Sequence, residues 1–156
     1  MRKALTGKLA YIDTNIFVYL AVKHPDFYEE CFRILKDMTQ GIYQGCGSAY
    51  ILFELFGALA KINVNAAYEA SLSYLNLPIT FLDMDRDVLL FAKEIAQITG
   101  VTYDSIHAAI MMKNNVNMVI TEDLDDWLKI RDAWRVLSKK RGLKELVIIS
   151  PTRGII

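Results

Sequence analysis

Four carboxylates stand where an acidic side chain can do chemistry: Asp13, Glu54, Asp104 and Asp123. Asp13 follows Leu9-Ala10-Tyr11-Ile12, and Asp123 lies just past Met118-Val119-Ile120-Thr121. Both runs read as buried strands, and in open α/β sheets function gathers beyond the carboxyl ends of the parallel strands. Glu54 interrupts the segment Ala49 to Ala60, which is otherwise apolar on every helical face. Such a helix is expected to be buried, and an ionised carboxylate there needs a cation or hydrogen-bond donors as compensation. Asp104 opens the run Thr102 to Ile110, with His107 about one turn later.

Each acid alone also has a simpler explanation. Asp13, ahead of Thr14 and Asn15, is placed to cap the next helix. Asp104 and Asp123 suit the positive ends of helix dipoles. Glu54 fits a buried ion pair, or an edge position from which it reaches water. His107 suits a ligand, a proton carrier or a half-buried side chain with its bonds satisfied. Brought together, however, four carboxylates repel one another and take up protons unless a cation neutralises them. Oxygen-only ligands favour a hard divalent ion, Mg²⁺ or Mn²⁺.

The elements that must position these residues follow from hydrophobic periodicity and from start and stop signals. Strands are expected at Leu9–Asp13, Ile42–Cys46, Ile79–Leu82, Met118–Thr121 and Leu146–Ile149. Helices are expected at Asn15–Val22, Asp26–Met38, from Ser48 as the cap to Ile62, and at Asn65–Leu75. Three more follow at Asp85–Thr99, ended by Gly100, at Thr102–Lys113, and at Asp125–Arg141, ended by Gly142. Short apolar strands alternating with helices imply a three-layer α/β/α sandwich around a mostly parallel central sheet.

Composition narrows the class. The 156 residues suffice for one domain with its own core, 53% of them are hydrophobic and 23% charged, and disorder is excluded. Cys31 and Cys46 form no CxxC pair and only two histidines occur, so neither a disulfide framework nor a zinc site is indicated. The basic-then-apolar start resembles a secretion signal, but Asp13 and Asn15 interrupt it and no small-residue cleavage pattern follows. The apolar run around Glu54 is too short to span a bilayer. A reducing cytoplasm is the expected setting. Net charge is zero, yet Lys129 to Ile156 carries +6 and the remainder −6. The bases Lys129, Arg131, Arg135, Lys139, Lys140 and Arg141 are therefore candidates for holding a nucleic-acid backbone, a solvated helix face being the alternative.

Taken in order, Asp13-Thr14-Asn15 after the first strand, the lone Glu54, Tyr103-Asp104 before Ala108-Ala109, and Thr121-x-Asp123 resemble the PIN domain, particularly the VapC-type toxin ribonucleases. The resemblance runs from about Leu9 to Trp127. It implies that Asp13, Glu54, Asp104 and Asp123 form an acidic, metal-holding quartet supported by Asn15, Ser48 and Thr121. It also implies RNA cleavage leaving 3′-hydroxyl and 5′-phosphate ends, a small antitoxin partner, and a homodimer. The dimer surface is expected between Asn15 and Met38, where Phe17, Tyr19, Leu20 and Phe27 supply apolar area, packing inside one chain being the equal alternative.

The chain departs from the family pattern in two places. Asp125-Asp126-Trp127 replaces a single acid plus aromatic, making Asp125 and Asp126 further candidate acids, and a basic helix at about 125–141 is an insert. Trp127, Trp134 or Tyr103 could stack a base, with core packing the stronger reading for the tryptophans. Two other functions fit the same residues: a PIN-like RNA-binding or assembly module that no longer cuts, and a related deoxyribonuclease. Nothing in the sequence reads a 2′-hydroxyl.

Overall fold

The computed structural model describes residues 1–156. Its elements are α1 (Arg2–Leu5), β1 (Leu9–Ile12), α2 (Thr14–Ala21), α3 (Tyr28–Thr39), β2 (Gln44–Gly47), α4 (Ala49–Ala60) and α5 (Val64–Leu75). There follow β3 (Ile79–Phe81), α6 (Arg86–Thr99), α7 (Tyr103–Lys113), β4 (Met118–Ile120), α8 (Leu124–Arg141), β5 (Val147–Ser150) and β6 (Gly154–Ile155). The expected strands and helices are all present, with ends displaced by a residue or two, where helix turns fray. Two elements were not foreseen: the single turn α1 and the two-residue strand β6, both too short for a periodic signal.

The sheet order is β3-β2-β1-β4-β5-β6, parallel except for the last pair. Right-handed crossovers then dictate the layers. From β1 to β3 the chain moves one way across the sheet, so α2 to α5 cover one face. It returns past β1 to β4 and β5, so α6 to α8 cover the other. The helix contacts divide the same way, with α2 against α3, α4 and α5, and α6 against α7 and α8. Strand order reverses between β1 and β4, which opens a crevice beyond their carboxyl ends.

Helices on both faces explain the continuous apolar runs of β4 and β5, of which Val119, Ile120, Ile148 and Ile149 are fully buried. Ile16, Ile51 and Leu55 pack beneath one face, Trp127, Ile130 and Trp134 beneath the other. In β2, Gly47 is required by a close approach: a Cβ there would lie 2.4 Å from the Tyr74 hydroxyl. That hydroxyl donates to the Ser48 carbonyl (3.0 Å) and accepts from the Ser48 N–H (3.2 Å), fixing the turn into α4.

Three expectations need correction. First, α4 is apolar all round but not buried all round. Ile51, Leu55 and Leu59 face the core, whereas Phe53 and Phe56 are 72% and 41% exposed, because only one stripe of this outer helix meets the layer beneath it. Second, the basic helix expected as an insert is α8, the crossover that parallel strands β4 and β5 require. It runs antiparallel to β4 for about 27 Å, so Lys139, Lys140 and Arg141 end at the sheet edge opposite Asp123. Third, the apolar residues expected on a dimer surface pack within the chain. Phe17 is buried, and Tyr19 stacks on Phe27 with ring centroids 4.7 Å apart. On α5, exposed Val64, Tyr68, Leu72 and Leu75 recur along one stripe.

Candidate active site

Asp13 leaves β1 at the point of strand reversal and is the N-cap of α2, its Oδ1 accepting from the Thr14 N–H at 2.7 Å. Capping is therefore real, but it engages one oxygen only. The other, Oδ2, accepts from Asn15 Nδ2 (2.8 Å), Thr121 Oγ1 (2.7 Å) and Trp127 Nε1 (2.9 Å). Thr121 is a hub: it also accepts from Asn15 Nδ2 and from the Asp123 N–H, joining the ends of β1 and β4. Asn15 Oδ1 completes the junction by accepting from the Glu122 N–H. Asp13 is thus 2% exposed and locked in orientation.

Glu54 lies one and a half turns into α4 and has no lysine or arginine partner. Its Oε2 accepts from Thr14 Oγ1 and from His107 Nε2, both at 2.6 Å. Burial pushes its pKa up, but the hydrogen bond and charge of His107, with the hydroxyls of Thr14 and Tyr50, outweigh that and hold the carboxyl below its ordinary range. An ionised Glu54 only accepts, so the His107 proton sits on Nε2. His107 Nδ1 bonds the Tyr11 hydroxyl at 2.8 Å, and Tyr11 bonds Ser48 Oγ at 3.0 Å. The imidazole is fully buried, not half-buried, and both nitrogens are occupied, so it orients Glu54 and is not free to ligate a metal. Ser48 is the N-cap residue of α4 but makes no side-chain capping bond; its hydroxyl faces Tyr11 instead.

Asp104 opens α7 and Asp123 is the N-cap residue of α8, so helix N-termini aim positive potential at both. Burial raises the Asp104 carboxyl most, the charge of Asp13 adds to it, and the value reaches about 7. Asp123 is also raised, by burial first and by Asp126 and Asp13 after it. Oxygens of Asp104, Asp123 and Asp126 lie within 4.8 Å of one another, as do ligand atoms of Asp13, Asp104 and His107. Asp126 is thus the nearer of the two additional acids. Asp125 is exposed and outside both groups. Glu122 sits beside Asp123 in sequence but is taken up by Ser150 Oγ and the Thr152 N–H and hydroxyl.

Asp13, Glu54, Asp104 and Asp123 line one open cleft of about 640 Å³. Its donor set fits a hard divalent cation: crowded carboxylate oxygens, one of them pushed to about 7 by burial and by the charge of Asp13 beside it. Soft ligands are elsewhere, since Cys31 and Cys46 are buried thiols whose burial pushes them up to about 12. The basic residues of α8 are not part of this cleft. Lys129 pairs with Asp126 (2.8 Å), Arg135 with Asp132 (3.2 Å), Arg141 with Glu94, and Arg131 donates to the Ile156 carbonyl. Lys139 and Lys140 are exposed at its far end.

Sequence reasoning missed Tyr11, Thr14 and the donor role of Trp127. Trp127 and Trp134 are core residues, with Trp134 Nε1 donating to the Lys144 carbonyl, so neither offers a stacking surface. A donor at the carboxyl end of β4, Thr121, and an indole four residues after Asp123 were the only signals that Asp13 would be held from β4 and α8.

A PIN domain family model matches residues 10–133. No curated protein matches the chain. Among solved structures, the toxin VapC20 of Mycobacterium tuberculosis, described as cleaving the sarcin-ricin loop, is 16% identical with a TM-score of 0.64, over 88% of this chain and 98% of that one. VapBC2 of Rickettsia felis bound to a promoter DNA fragment is 17% identical, TM-score 0.60, over 91% and 98%. A toxin-antitoxin complex of Klebsiella pneumoniae is 18% identical, TM-score 0.56, over 76% and 89%.

Proposed function

This chain belongs to the PIN domain family, and on that premise we propose that it is an endoribonuclease dependent on Mg²⁺ or Mn²⁺ that hydrolyses RNA phosphodiester bonds. The observation that carries the proposal is the meeting of Asp13, Glu54, Asp104 and Asp123 in one cleft at the reversal of strand order. In this reading Asp13, Glu54, Asp104 and Asp123 would hold the cation, and Asp126 would assist from α8. When bound, the ion acts as a Lewis acid that lowers the pKa of water and neutralises charge on the phosphate.

The chain's own residues supply the rest. Thr121, Asn15 and Trp127 keep Asp13 from rotating. Thr14 and His107 leave one oxygen of Glu54 unoccupied while fixing the other. Cleavage leaves 3′-hydroxyl and 5′-phosphate ends. The protein acts in the cytoplasm as the toxin of a toxin-antitoxin pair, paired with a small antitoxin; the similarity in fold to toxin-antitoxin complexes supports that reading. It is a homodimer, with the exposed stripe of α5 as the contact. No helix is long and apolar enough to cross a membrane. The test is a nuclease assay on RNA and single-stranded DNA with either ion, comparing wild type with Asp13→Asn.

A further inference from the structure

One face of α4 forms a wall of the acidic cleft. Tyr50, Phe53, Glu54, Gly57, Ala58 and Lys61 all line it, at the spacing that places residues on one side of a helix. Three of them do nothing for the fold. Phe53 is 72% exposed, an aromatic ring left in water beside a catalytic acid. Lys61 is the only cation among the residues lining the cleft, and its position on α4 is about 10 Å along the helix from Glu54. Gly57 sits in the helix interior, where glycine is less favourable than alanine. A Cβ there would meet nothing within 4 Å, so no packing contact inside this chain calls for glycine. On the opposite lip, Tyr103 precedes Asp104 just as Phe53 precedes Glu54, and it is 71% exposed.

Resting on the ribonuclease reading above, we infer that this wall binds single-stranded RNA, with Phe53 and Tyr103 as base-stacking platforms, bare Gly57 admitting the sugar or base, and Lys61 meeting a neighbouring phosphate. The chemistry alternates as a nucleic-acid strand does: carboxylates that would hold a cation against the scissile phosphate, apolar ring faces beside them, and a positive charge further on. Stacking on a side chain requires a base that is not already stacked in a helix, so the arrangement selects unpaired segments over duplex. A peptide partner would use the aromatic rings but has no need of a cation aligned with the acids.

The test is fluorescence anisotropy of a short mixed-sequence RNA, single-stranded or annealed to its complement, in EDTA so that binding is read without cleavage. Phe53→Ala, Tyr103→Ala and Gly57→Leu are compared with wild type and with Leu89→Ala, a change at an exposed apolar residue outside the cleft. Each cleft variant is expected to weaken single-strand binding on the order of tenfold, to narrow the preference for single strand over duplex, to leave Mn²⁺ affinity unchanged, and to melt no lower than wild type, Gly57→Leu melting higher. Leu89→Ala should bind as wild type does. Equal affinity in all three cleft variants, or equal losses for Leu89→Ala, would overturn the inference. So would variants that bind RNA normally but lose a protein partner. Failure of the ribonuclease reading shows separately, as wild-type protein that binds the strand and never cuts it.

Discussion

His107 Nε2 lies 2.6 Å from Glu54 Oε2, and on its other side Nδ1 lies 2.8 Å from the Tyr11 hydroxyl, so a fully buried imidazole ties the middle of β1 to the carboxylate of α4. Removing it leaves a cavity and takes one hydrogen-bond partner each from Glu54 and Tyr11, which keep Thr14 and Ser48. His107→Ala is expected to destabilise the fold by about 3 kcal/mol, read from urea unfolding, and to loosen Glu54 enough to depress RNA cleavage. His107→Gln, which keeps a donor toward Glu54, should recover part of both. Wild-type stability in His107→Ala would show that the ring is not a strut.

The Asp104 carboxyl gives a pH dependence whose sign is fixed. Its value of about 7 in the fold exceeds the ordinary 3.8, so between those limits the folded protein holds a proton that the unfolded chain has lost. Metal-free stability should therefore fall as pH rises through that window. Divalent-ion binding, which needs the carboxylate, should strengthen over the same range and level off above about 7. Glu54 has the opposite sign and acts below its ordinary 4.5, at the acid end of this window. Calorimetric titration of Mn²⁺ from pH 5 to pH 8 checks this; an Asp104→Asn variant that keeps the full slope would assign the proton elsewhere.

Trp127→Phe preserves most of the core volume but deletes the 2.9 Å bond to Asp13 Oδ2. A lost donor to a buried carboxylate costs about 2 kcal/mol, and Asp13 gains freedom to turn. We expect a lower melting temperature together with weaker Mn²⁺ binding. A change in stability alone would confine Trp127 to packing.

Why some of this was legible in the sequence and some was not comes down to range. Asp13 and Asp123 could be placed because the end of an apolar strand is a local signal, and Glu54 because a lone charge in an apolar helix demands partners. Those partners were illegible: Thr14 is 40 residues from Glu54, and His107 is 53. Choosing Asp126 over Asp125 needed the helical phase of α8, which begins one residue before the expected start. The basic cluster misled for a related reason. Adjacency to Asp123 in sequence suggested adjacency in space, whereas a crossover helix carries its far end to the other edge of the sheet. Lys139→Glu with Lys140→Glu should consequently change cleavage near the acids little.

The stripe Val64, Tyr68, Leu72 and Leu75 leaves apolar area in water on α5. Light scattering should report a dimer at micromolar concentration, and Leu72→Glu should yield a folded monomer, since burying a charge in the contact opposes association. A wild-type protein that is monomeric at high concentration would remove the dimer from the account.

The central claim is that Asp13, Glu54, Asp104 and Asp123 act together on RNA through a divalent ion, and single-turnover cleavage of a labelled RNA tests it most directly. With Mg²⁺ or Mn²⁺ the wild type should cut, EDTA should abolish cutting, and Asp13→Asn, Glu54→Gln and Asp104→Asn should each slow it by orders of magnitude while remaining folded. RNA bound but never cut would identify a binding module, and cleavage of single-stranded DNA alone a deoxyribonuclease. Undiminished cleavage in EDTA, or in any two of the folded variants, would contradict the account.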